Sequence, residues 1–296
     1  MLNDKKKMLL TGSNGFVGSY FIDKYKGRYE IQKFSFLHDS PKGISSGHFE
    51  ALHVKDVDVV FHLSALVHQM GGASASEYER VNVTQTLELA KKAKDSGVKH
   101  FVFMSTVKVY GEETKSQYSE NSVCNPEDEY GKSKLKAEIE LQKLENENFK
   151  VSIIRTPIVY GYGVKANIKN LVNLISKVLL LPFGGIDNKR SMVYIGNLCH
   201  LVDAVIEQEK AGIFLASDDE PLSTTRLIEL IAKNLNKKIY LVKIPFFESL
   251  LKTLKPSFHK RLYGSLEVDN TLTQEKLNLK NRYSVEDGIK LMINGK

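Results

Sequence analysis

The sequence predicts an α/β protein built on a doubly wound parallel sheet, with a second, smaller domain interleaved among its last elements. Two observations predict this fold class. Short, continuously apolar segments alternate with helical segments between residues 6 and 155, as in a parallel sheet that is covered on both faces. The first apolar segment also leads directly into a glycine-rich turn and a helix, which is the local arrangement of a Rossmann fold.

The composition is that of an ordinary globular protein. The chain has 296 residues, of which 42% are hydrophobic and 26% are charged. No apolar run approaches the roughly 20 residues of a membrane span, and the N-terminus lacks a signal-peptide cleavage pattern. We therefore expect a cytoplasmic protein without a transmembrane segment.

The formal net charge of +7 permits an anionic partner. Because the lysines are scattered and form no nucleic-acid motif, we expect a small anionic substrate and no nucleic acid. The two cysteines, Cys124 and Cys199, form neither a disulfide framework nor a metal-ligand spacing. No metal site is predicted.

The glycine turn follows the first predicted strand, residues 6–10. Gly12 allows a tight turn, Gly15 lets the backbone approach a diphosphate, and Gly18 lets the following helix pack closely on the strand. The N-terminus of that helix presents free amide groups and a partial positive charge. This turn predicts binding of a dinucleotide, NAD or NADP.

The second strand, residues 30–36, should end beside the adenosine ribose. An acidic residue there favours NAD and a basic one favours NADP. By spacing, Ser35 occupies this position, with His38, Asp39 and Lys42 close behind. None of these decides between the two cofactors.

The strand predicted at residues 58–65 ends in the small residues Ser64 and Ala65, which leave room for a cofactor. His62 lies within this strand, and we interpret it as a packed core residue and not as a catalyst. A helix is predicted at residues 77–95. It carries the polar Asn82 among apolar neighbours, and we expect Asn82 to bond the backbone or to orient Lys134 through water.

Three residues form the candidate catalytic group. Thr106 follows a strand predicted at residues 100–105, so it lies at the carboxyl edge of the sheet. A helix with start signals at Asn125 and Pro126 then carries Tyr130 and Lys134, which lie on one face because they are four residues apart. A nearby ammonium lowers a phenol pKa; a drop of about 3 units corresponds to about 4 kcal/mol. Tyr130 would then exchange protons near neutral pH, with Thr106 holding the reacting oxygen.

A tyrosine and a lysine at this spacing also occur on ordinary exposed helices. The preceding dinucleotide turn is what favours the catalytic interpretation of Tyr130 and Lys134.

The strict alternation loosens after a strand at residues 150–155. We predict a dinucleotide-binding domain at residues 1–163, with 191–216 contributing, and a mainly substrate-binding domain at residues 164–296. Helices are predicted at residues 167–180, 224–235 and 245–254. The stretch 237–261 has a large basic excess and one acid, Glu248; we interpret it as a basic rim over a packed helix, with a membrane-surface helix as the alternative.

Together, these segments resemble the extended short-chain dehydrogenases/reductases of the NAD-dependent epimerase/dehydratase group over essentially the whole chain. The segments that carry the resemblance are residues 11–18, residues 58–65, Ser105-Thr106 before Val109-Tyr110-Gly111, Tyr130 with Lys134, and residues 155–163. The resemblance implies that Thr106, Tyr130 and Lys134 are catalytic. The cofactor contacts that it implies are Gly12, Asn14, Gly15, Phe16, Val17, Leu63, Ala65 and Lys134.

The resemblance also implies how the substrate is held. Arg190 lies where the family binds the diphosphate of a nucleotide sugar, which a guanidinium recognises bidentately. Asn167 is a second candidate for the same ligand, and Thr106 and Tyr130 would contact the sugar. By the same resemblance, a homodimer would form through the helices at residues 77–95 and 126–146.

Narrower motifs look like the branch that reduces UDP-4-keto-6-deoxy-N-acetylhexosamines for bacterial O-antigen and capsule synthesis. They lie at residues 105–111, 163–167, 189–198 and 217–224. We therefore predict reduction of a C4 keto group of a UDP-sugar. The alternatives are an NAD-dependent UDP-sugar 4-epimerase, which uses the same residues, and a non-catalytic NAD(P)-sensing regulator, although such regulators often lose the Tyr or the Lys.

One departure bears on a related reaction. Sugar 4,6-dehydratases that resemble this chain carry an Asp-Glu pair directly after the catalytic Thr. Here those positions are Val107 and Lys108, so we do not expect dehydration.

Overall fold

The computed structural model describes residues 5–35, 45–46, 52, 54–67 and 73–295. Within them, the main sheet has seven parallel strands in the order β10-β6-β5-β4-β1-β2-β3. Its strands are β1 (Lys7–Thr11), β2 (Glu30–Ser35), β3 (Ser45–Ser46), β4 (Val59–His62), β5 (His100–Thr106), β6 (Lys150–Thr156) and β10 (Gly212–Leu215). The predicted doubly wound parallel sheet is confirmed.

Two small parallel pairs lie outside this sheet. β7 (Ile158–Tyr160) pairs with β9 (Met192–Tyr194), and β8 (Leu180–Leu181) pairs with β11 (Tyr240–Leu241). Both pairs join chain segments that are distant in sequence, so local patterns did not indicate them.

The helices of the described residues alternate with the strands. They are α1 (Phe16–Tyr25), α2 (Ala75–Tyr78), a π-helical turn (Glu79–Thr84), α3 (Gln85–Asp95), a 3₁₀ turn (Val107–Val109), α4 (Glu129–Gln142), α5 (Ala166–Lys177), α6 (Ile195–Glu207), α7 (Thr224–Asn234), α8 (Phe247–Leu254), α9 (Pro256–Tyr263), α10 (Thr271–Leu277) and α11 (Val285–Asn294). None of them is long and apolar enough to cross a bilayer.

The sheet is covered on both faces. Because side chains alternate along a strand, Met8 and Leu10 of β1 pack into one apolar cluster with α1 and α6, whereas Leu9 packs into another with α3 and α4. Every residue of β4 is buried. This two-faced burial explains why the strands are continuously apolar.

The start of α4 differs from the sequence-based expectation. The N-cap is Asp128, whose Oδ1 accepts a hydrogen bond from Gly131 N at 2.7 Å, and the helix begins at Glu129 instead of beside Asn125 and Pro126. An aspartate accepts this capping bond as well as an asparagine does, and tertiary contacts decide between the two. Tyr130 therefore lies in the first turn.

The later helices pack on the same core as the sheet. One apolar cluster extends from β1 to Ile228 and Ile231 of α7, and β10 completes the sheet beside β6. The division at residue 163 remains a prediction, as do the helix-mediated homodimer and the cytoplasmic location.

Candidate functional site

The glycine turn lies between β1 and α1 at the carboxyl edge of the sheet. Gly15 N donates to Gly12 O at 2.9 Å, and Gly12 has a φ of +68°. A Cβ on Gly12 would lie 3.0 Å from Ser64 N, and a Cβ on Gly18 would lie 2.5 Å from Gly12 O. Only glycine fits both positions without a shift of the backbone.

A buried hydrogen-bond network of Thr11, His62 and Thr86 holds the glycine turn against the loop that follows β4. Thr11 Oγ1 lies 2.7 Å from His62 Nδ1 and accepts hydrogen bonds from Leu63 N and Ser64 N, both at 3.2 Å. His62 Nε2 lies 3.0 Å from Thr86 Oγ1. Burial lowers the pKa of His62 to about 3, so the imidazole is neutral, and its interpretation as a packed core residue is confirmed.

The glycine turn and the start of α1 form a cradle that fits the diphosphate of a dinucleotide. α1 begins at Phe16 with no side-chain cap and no acid in its first turn, so its free amide groups remain available to an anion. Ser13 Oγ is buried without a hydrogen-bond partner in the described part of the chain. The neighbouring Asn14 is exposed, and Phe16 and Val17 are partly buried.

Leu63 and Ala65 lie in the loop that follows β4, because that strand ends at His62 and not at residue 65. Ser35 is the last residue of β2, and its side chain is outside the described residues, as are His38, Asp39 and Lys42.

Thr106 is the last residue of β5, one strand over from β4. It is buried, and its Oγ1 accepts a hydrogen bond from Lys108 N at 3.3 Å. A Cβ on Gly131 would lie 2.9 Å from Lys108 O, so the first turn of α4 packs directly on the segment that follows Thr106. The fold thus brings the Thr106 segment and the Tyr130 turn together.

Lys108 holds these two segments to each other. Its Nζ lies 2.6 Å from Asp128 Oδ2, on the N-cap of α4, and 2.5 Å from Glu112 Oε1. The preceding Val107 is buried. The two positions that carry acids in the dehydratase pattern therefore serve packing and an ion-pair link here.

Tyr130 and Lys134 share one face of α4, but their electrostatics differ from the prediction. Lys134 Nζ lies over the ring of Phe103, 3.8 Å from its centroid, and the residue is only 2% exposed. Burial lowers the Lys134 pKa to about 7, and burial also raises the Tyr130 pKa, with added repulsion from Asp128 and Tyr78. The Tyr130 pKa is raised and not lowered, so the expectation that Lys134 makes this phenol more acidic is wrong for this structure.

A buried ion pair lies one turn further along the same face. Arg155 Nη2 donates to Glu138 Oε2 at 2.6 Å, and Arg155 Nη1 donates to the Tyr110 hydroxyl at 2.7 Å. Ser105 Oγ also donates to Glu138. Sequence analysis missed Glu138, although its position eight residues after Tyr130 and four after Lys134 was a signal that the face continues.

Asn82 lies in the π-helical turn and joins two walls of the site. It accepts from Leu66 N at 2.8 Å, and its Nδ2 donates to Leu66 O and to Ser133 Oγ, both at 3.0 Å. Ser133 Oγ in turn donates to Tyr130 O at 2.8 Å. Of the two roles predicted for Asn82, bonding to the backbone is confirmed. π-Helical turns often occur at functional sites.

The proposed substrate ligands lie farther along the chain. Arg190 Nη1 donates to the carbonyl oxygens of Lys260 at 3.2 Å and Gly264 at 3.1 Å, so its guanidinium contacts the C-terminal end of α9. Burial lowers the Arg190 pKa. Asn167 is exposed near the start of α5, and its diphosphate contact remains a prediction.

Cys124 and Cys199 are free thiols. Among the described residues, no three His, Cys, Asp or Glu side chains are grouped to hold a metal ion.

We expect Lys134→Met to stabilise the cofactor-free protein more at low pH than at high pH. The Lys134 pKa is about 7 in the folded state, against about 10.4 when unfolded. Between about pH 7 and about pH 10.4 the unfolded chain binds more protons than the folded protein, so the wild-type free energy of unfolding rises with pH. Below about pH 7 the folded protein retains the buried charge on Lys134, which destabilises it. The stability difference between variant and wild type should shrink by about 2–3 kcal/mol from about pH 6 to about pH 9.

Urea unfolding of both proteins at the two pH values measures this difference, and the other titrating groups cancel between them. Lys132→Met, which removes an exposed lysine of the same helix, is the control and should show no such trend. A pH-independent effect of Lys134→Met would contradict the lowered pKa.

Comparison with known proteins places this geometry in a family. A model of the NAD dependent epimerase/dehydratase family matches residues 8–215. The chain is 38% identical over 307 residues to a UDP-glucose 4-epimerase of Vibrio cholerae, covering 96% of this chain and 94% of that protein. It is 28% identical over 257 residues to the N-acetyl-alpha-D-glucosaminyl-diphospho-ditrans,octacis-undecaprenol 4-epimerase of Escherichia coli O157:H7, covering 83% and 76%.

Solved structures share the fold. A UDP-N-acetylglucosamine 4-epimerase from Methanobrevibacter ruminantium M1, in complex with UDP-N-acetylmuramic acid, superposes with a TM-score of 0.79 at 19% identity, covering 98% of this chain and 97% of that one. A UDP-glucuronic acid 4-epimerase from Bacillus cereus, in complex with NAD, gives 0.77 at 20% identity and 97% coverage of both chains. The chain therefore belongs to the NAD dependent epimerase/dehydratase family and is an NAD-dependent enzyme of the short-chain dehydrogenase/reductase type.

Proposed function

We propose that this protein is a UDP-sugar 4-epimerase in which Thr106, Tyr130 and Lys134 are the catalytic residues. The observation that carries the proposal is their placement: Thr106 ends β5, and Tyr130 lies in the adjoining turn of α4, at the sheet edge that also bears the glycine turn. The similarity to the Vibrio cholerae UDP-glucose 4-epimerase over almost the whole chain supports the same reaction.

The reaction needs a proton to leave and return at the C4 oxygen of the sugar. When bound, NAD supplies the hydride acceptor and donor for C4. Tyr130 Oη takes the proton of the C4 hydroxyl as the 4-keto sugar forms, and it returns the proton after the sugar has rotated to present its opposite face. The Thr106 hydroxyl forms a hydrogen bond with the same oxygen throughout. The first step requires the phenolate, which burial of Tyr130 disfavours; in this proposal the Lys134 ammonium, when charged, offsets part of that effect.

The proposed cofactor contacts follow from the cradle. Gly12, Asn14, Gly15, Phe16 and Val17 line the turn and the start of α1, and Leu63 and Ala65 come from the loop after β4. We assign Ser35, at the end of β2, to the adenosine ribose, and Lys134 to the nicotinamide ribose.

Reduction of a C4 keto group is the second candidate. It uses the same residues, with the Tyr130 phenol donating its proton to the carbonyl oxygen as hydride reaches C4. Reduction also agrees with the narrower sequence motifs. The two candidates differ in whether reductant is consumed.

Arg190 is the proposed diphosphate ligand, with Asn167 as a second contact. A guanidinium binds a diphosphate through several charge-assisted hydrogen bonds. The Escherichia coli relative acts on a sugar carried by a lipid diphosphate, so this substrate class is included beside UDP-sugars. Two observations support a lipid-diphosphate substrate. Arg190 contacts the end of α9. Exposed apolar residues of α8 and α9 lie nearby and could contact the lipid.

One experiment separates these candidates. The protein is incubated with UDP-glucose and with UDP-N-acetylglucosamine without reductant, with the lipid-diphosphate form of N-acetylglucosamine, and with UDP-4-keto-6-deoxy-N-acetylglucosamine plus NADH; NMR identifies the products. We expect conversion to the C4 epimer of a UDP-sugar without net consumption of NADH. NADH-dependent reduction of the keto sugar without any epimerisation would overturn the proposal in favour of the reductase, and no turnover of any substrate would favour the regulator.

A further inference from the structure

α8 carries two apolar stripes that differ in their surroundings. Phe247 and Leu251 are partly buried, and Phe247 packs on Phe183 with ring centroids 6.3 Å apart. Phe246 lies just before the helix, with Leu250 and Leu254 following at four-residue intervals, and these side chains are 85%, 54% and 68% exposed. Leu250 and Leu254, four residues apart, lie on one face of the helix beside the face of Phe247 and Leu251, and Phe246 immediately precedes the helix. The helix therefore rests on the protein through one stripe and presents the other outward.

Neighbouring residues extend this outer stripe. Ile244 precedes it, and Phe258 lies in α9; both are large, apolar and more than 40% exposed. No residue of α8 or α9 is buried. We call residues 244–258 with these outward side chains the α8–α9 surface. The interpretation of this stretch as a basic rim over a packed helix is thus half correct, since only the Phe247 stripe is packed.

The backbone also contributes to the exposure of Phe246. This residue has a φ of +61°, a conformation that L side chains rarely adopt. Its ring nonetheless gains no burial in return. Such strain is explained if the ring is buried in a second state.

The charges around the stripe are almost all positive. Lys243, Lys252 and Lys255 are exposed in this stretch, and the one acid, Glu248, lies 3.3 Å from His259 Nε2. Farther along, Lys260 is engaged with Glu127 at 2.9 Å. The α8–α9 surface therefore combines outward leucine and phenylalanine with flanking lysines, the pattern of helices that lie in a membrane interface.

The same charges select among occupants. In a two-fold contact between copies, the same patch meets itself, so Lys252 and Lys255 of each copy would approach each other. An anionic bilayer instead offers acyl chains to the apolar stripe and negative headgroups to the lysines. We propose that the α8–α9 surface docks on the surface of an anionic phospholipid bilayer.

Docking there would orient the candidate site. Arg190 contacts the carbonyl oxygens at the end of α9, so the proposed diphosphate ligand lies next to the surface that meets the lipid. The proposal does not depend on the reaction, since membrane binding is measured without turnover.

The test is sedimentation of the full chain with two kinds of vesicle. One contains phosphatidylethanolamine and phosphatidylglycerol, and the other contains phosphatidylcholine alone. We expect binding to the first at low salt, at least about tenfold weaker binding to the second, and weakening of binding by high salt. Leu250→Ser with Leu254→Ser should reduce binding at least about tenfold.

A matched control removes two exposed apolar side chains elsewhere. Val123→Ser with Leu272→Ser should bind vesicles as the wild type does. Turnover of a UDP-sugar in the absence of vesicles should be unchanged in both double variants, which separates this proposal from the proposed function. The proposal is overturned if the wild-type protein stays in the supernatant, if the α8 variant binds vesicles like the wild type, or if light scattering shows that this variant instead dissociates a dimer.

Discussion

Tyr130→Phe should lower kcat for the sugar substrate by about 10³-fold, because it removes the proton donor and acceptor and leaves the ring in place. Tyr130 packs beside Tyr78, with ring centroids 6.3 Å apart, and phenylalanine preserves this contact. KM should change much less than kcat, since the proposed substrate anchor, Arg190, is untouched. Initial rates and the thermal midpoint of the variant are measured together.

Tyr162→Phe is the matched control, because Tyr162 is 68% exposed and has no proposed role in proton transfer. It should retain wild-type kcat. If Tyr130→Phe kept its kcat within tenfold of the wild type, proton transfer by this residue would be refuted and catalysis by this site would be excluded.

Arg155→Met should lower the free energy of unfolding by about 3–5 kcal/mol, because it leaves the Glu138 carboxylate buried without its cation. Both side chains of the pair are almost inaccessible, and the guanidinium donates to Glu138 through Nε and Nη2. Arg155 also donates to the Tyr110 hydroxyl, which loses that partner. Urea unfolding measures the change.

The comparison is Lys143→Met, which removes one side of the exposed Lys143–Glu140 pair at the end of α4, the helix that carries Glu138. Exposed pairs contribute about 0–1 kcal/mol, so this variant should unfold close to the wild type. The double variant Arg155→Met with Glu138→Leu should recover part of the lost stability, since it removes the unpaired charge as well. If Arg155→Met and Lys143→Met lowered the free energy of unfolding equally, the buried Glu138–Arg155 pair would contribute no more to stability than an exposed pair.

Local patterns in the sequence were enough to predict the fold and the edge of the sheet at which the candidate site lies. Continuously apolar segments predicted the buried parallel strands, and the strand ends placed Thr106 at the correct edge. The glycine spacing predicted a turn at which the structure tolerates no Cβ on Gly18. These features depend on contacts between residues that are close in the chain, or on a rule of parallel sheets, and a single sequence contains both.

Electrostatic detail depended on distant residues and could not be predicted in the same way. The pKa of Lys134 is set by burial against Phe103 of β5, and nothing in the helix sequence indicates that contact. Arg190 meets the end of α9 across about 70 residues of chain. The exposure of Leu250 and Leu254 could not be predicted either. Several apolar residues of α8 could have packed on the core, and the sequence does not show which of them do.

The amide of Asn82 has a mechanical consequence. Through three hydrogen bonds it fastens the loop after β4 to the first turns of α4, so a displacement of one of these segments is transmitted to the other. A substitution that removes this amide, such as Asn82→Ala, should therefore loosen both segments at once.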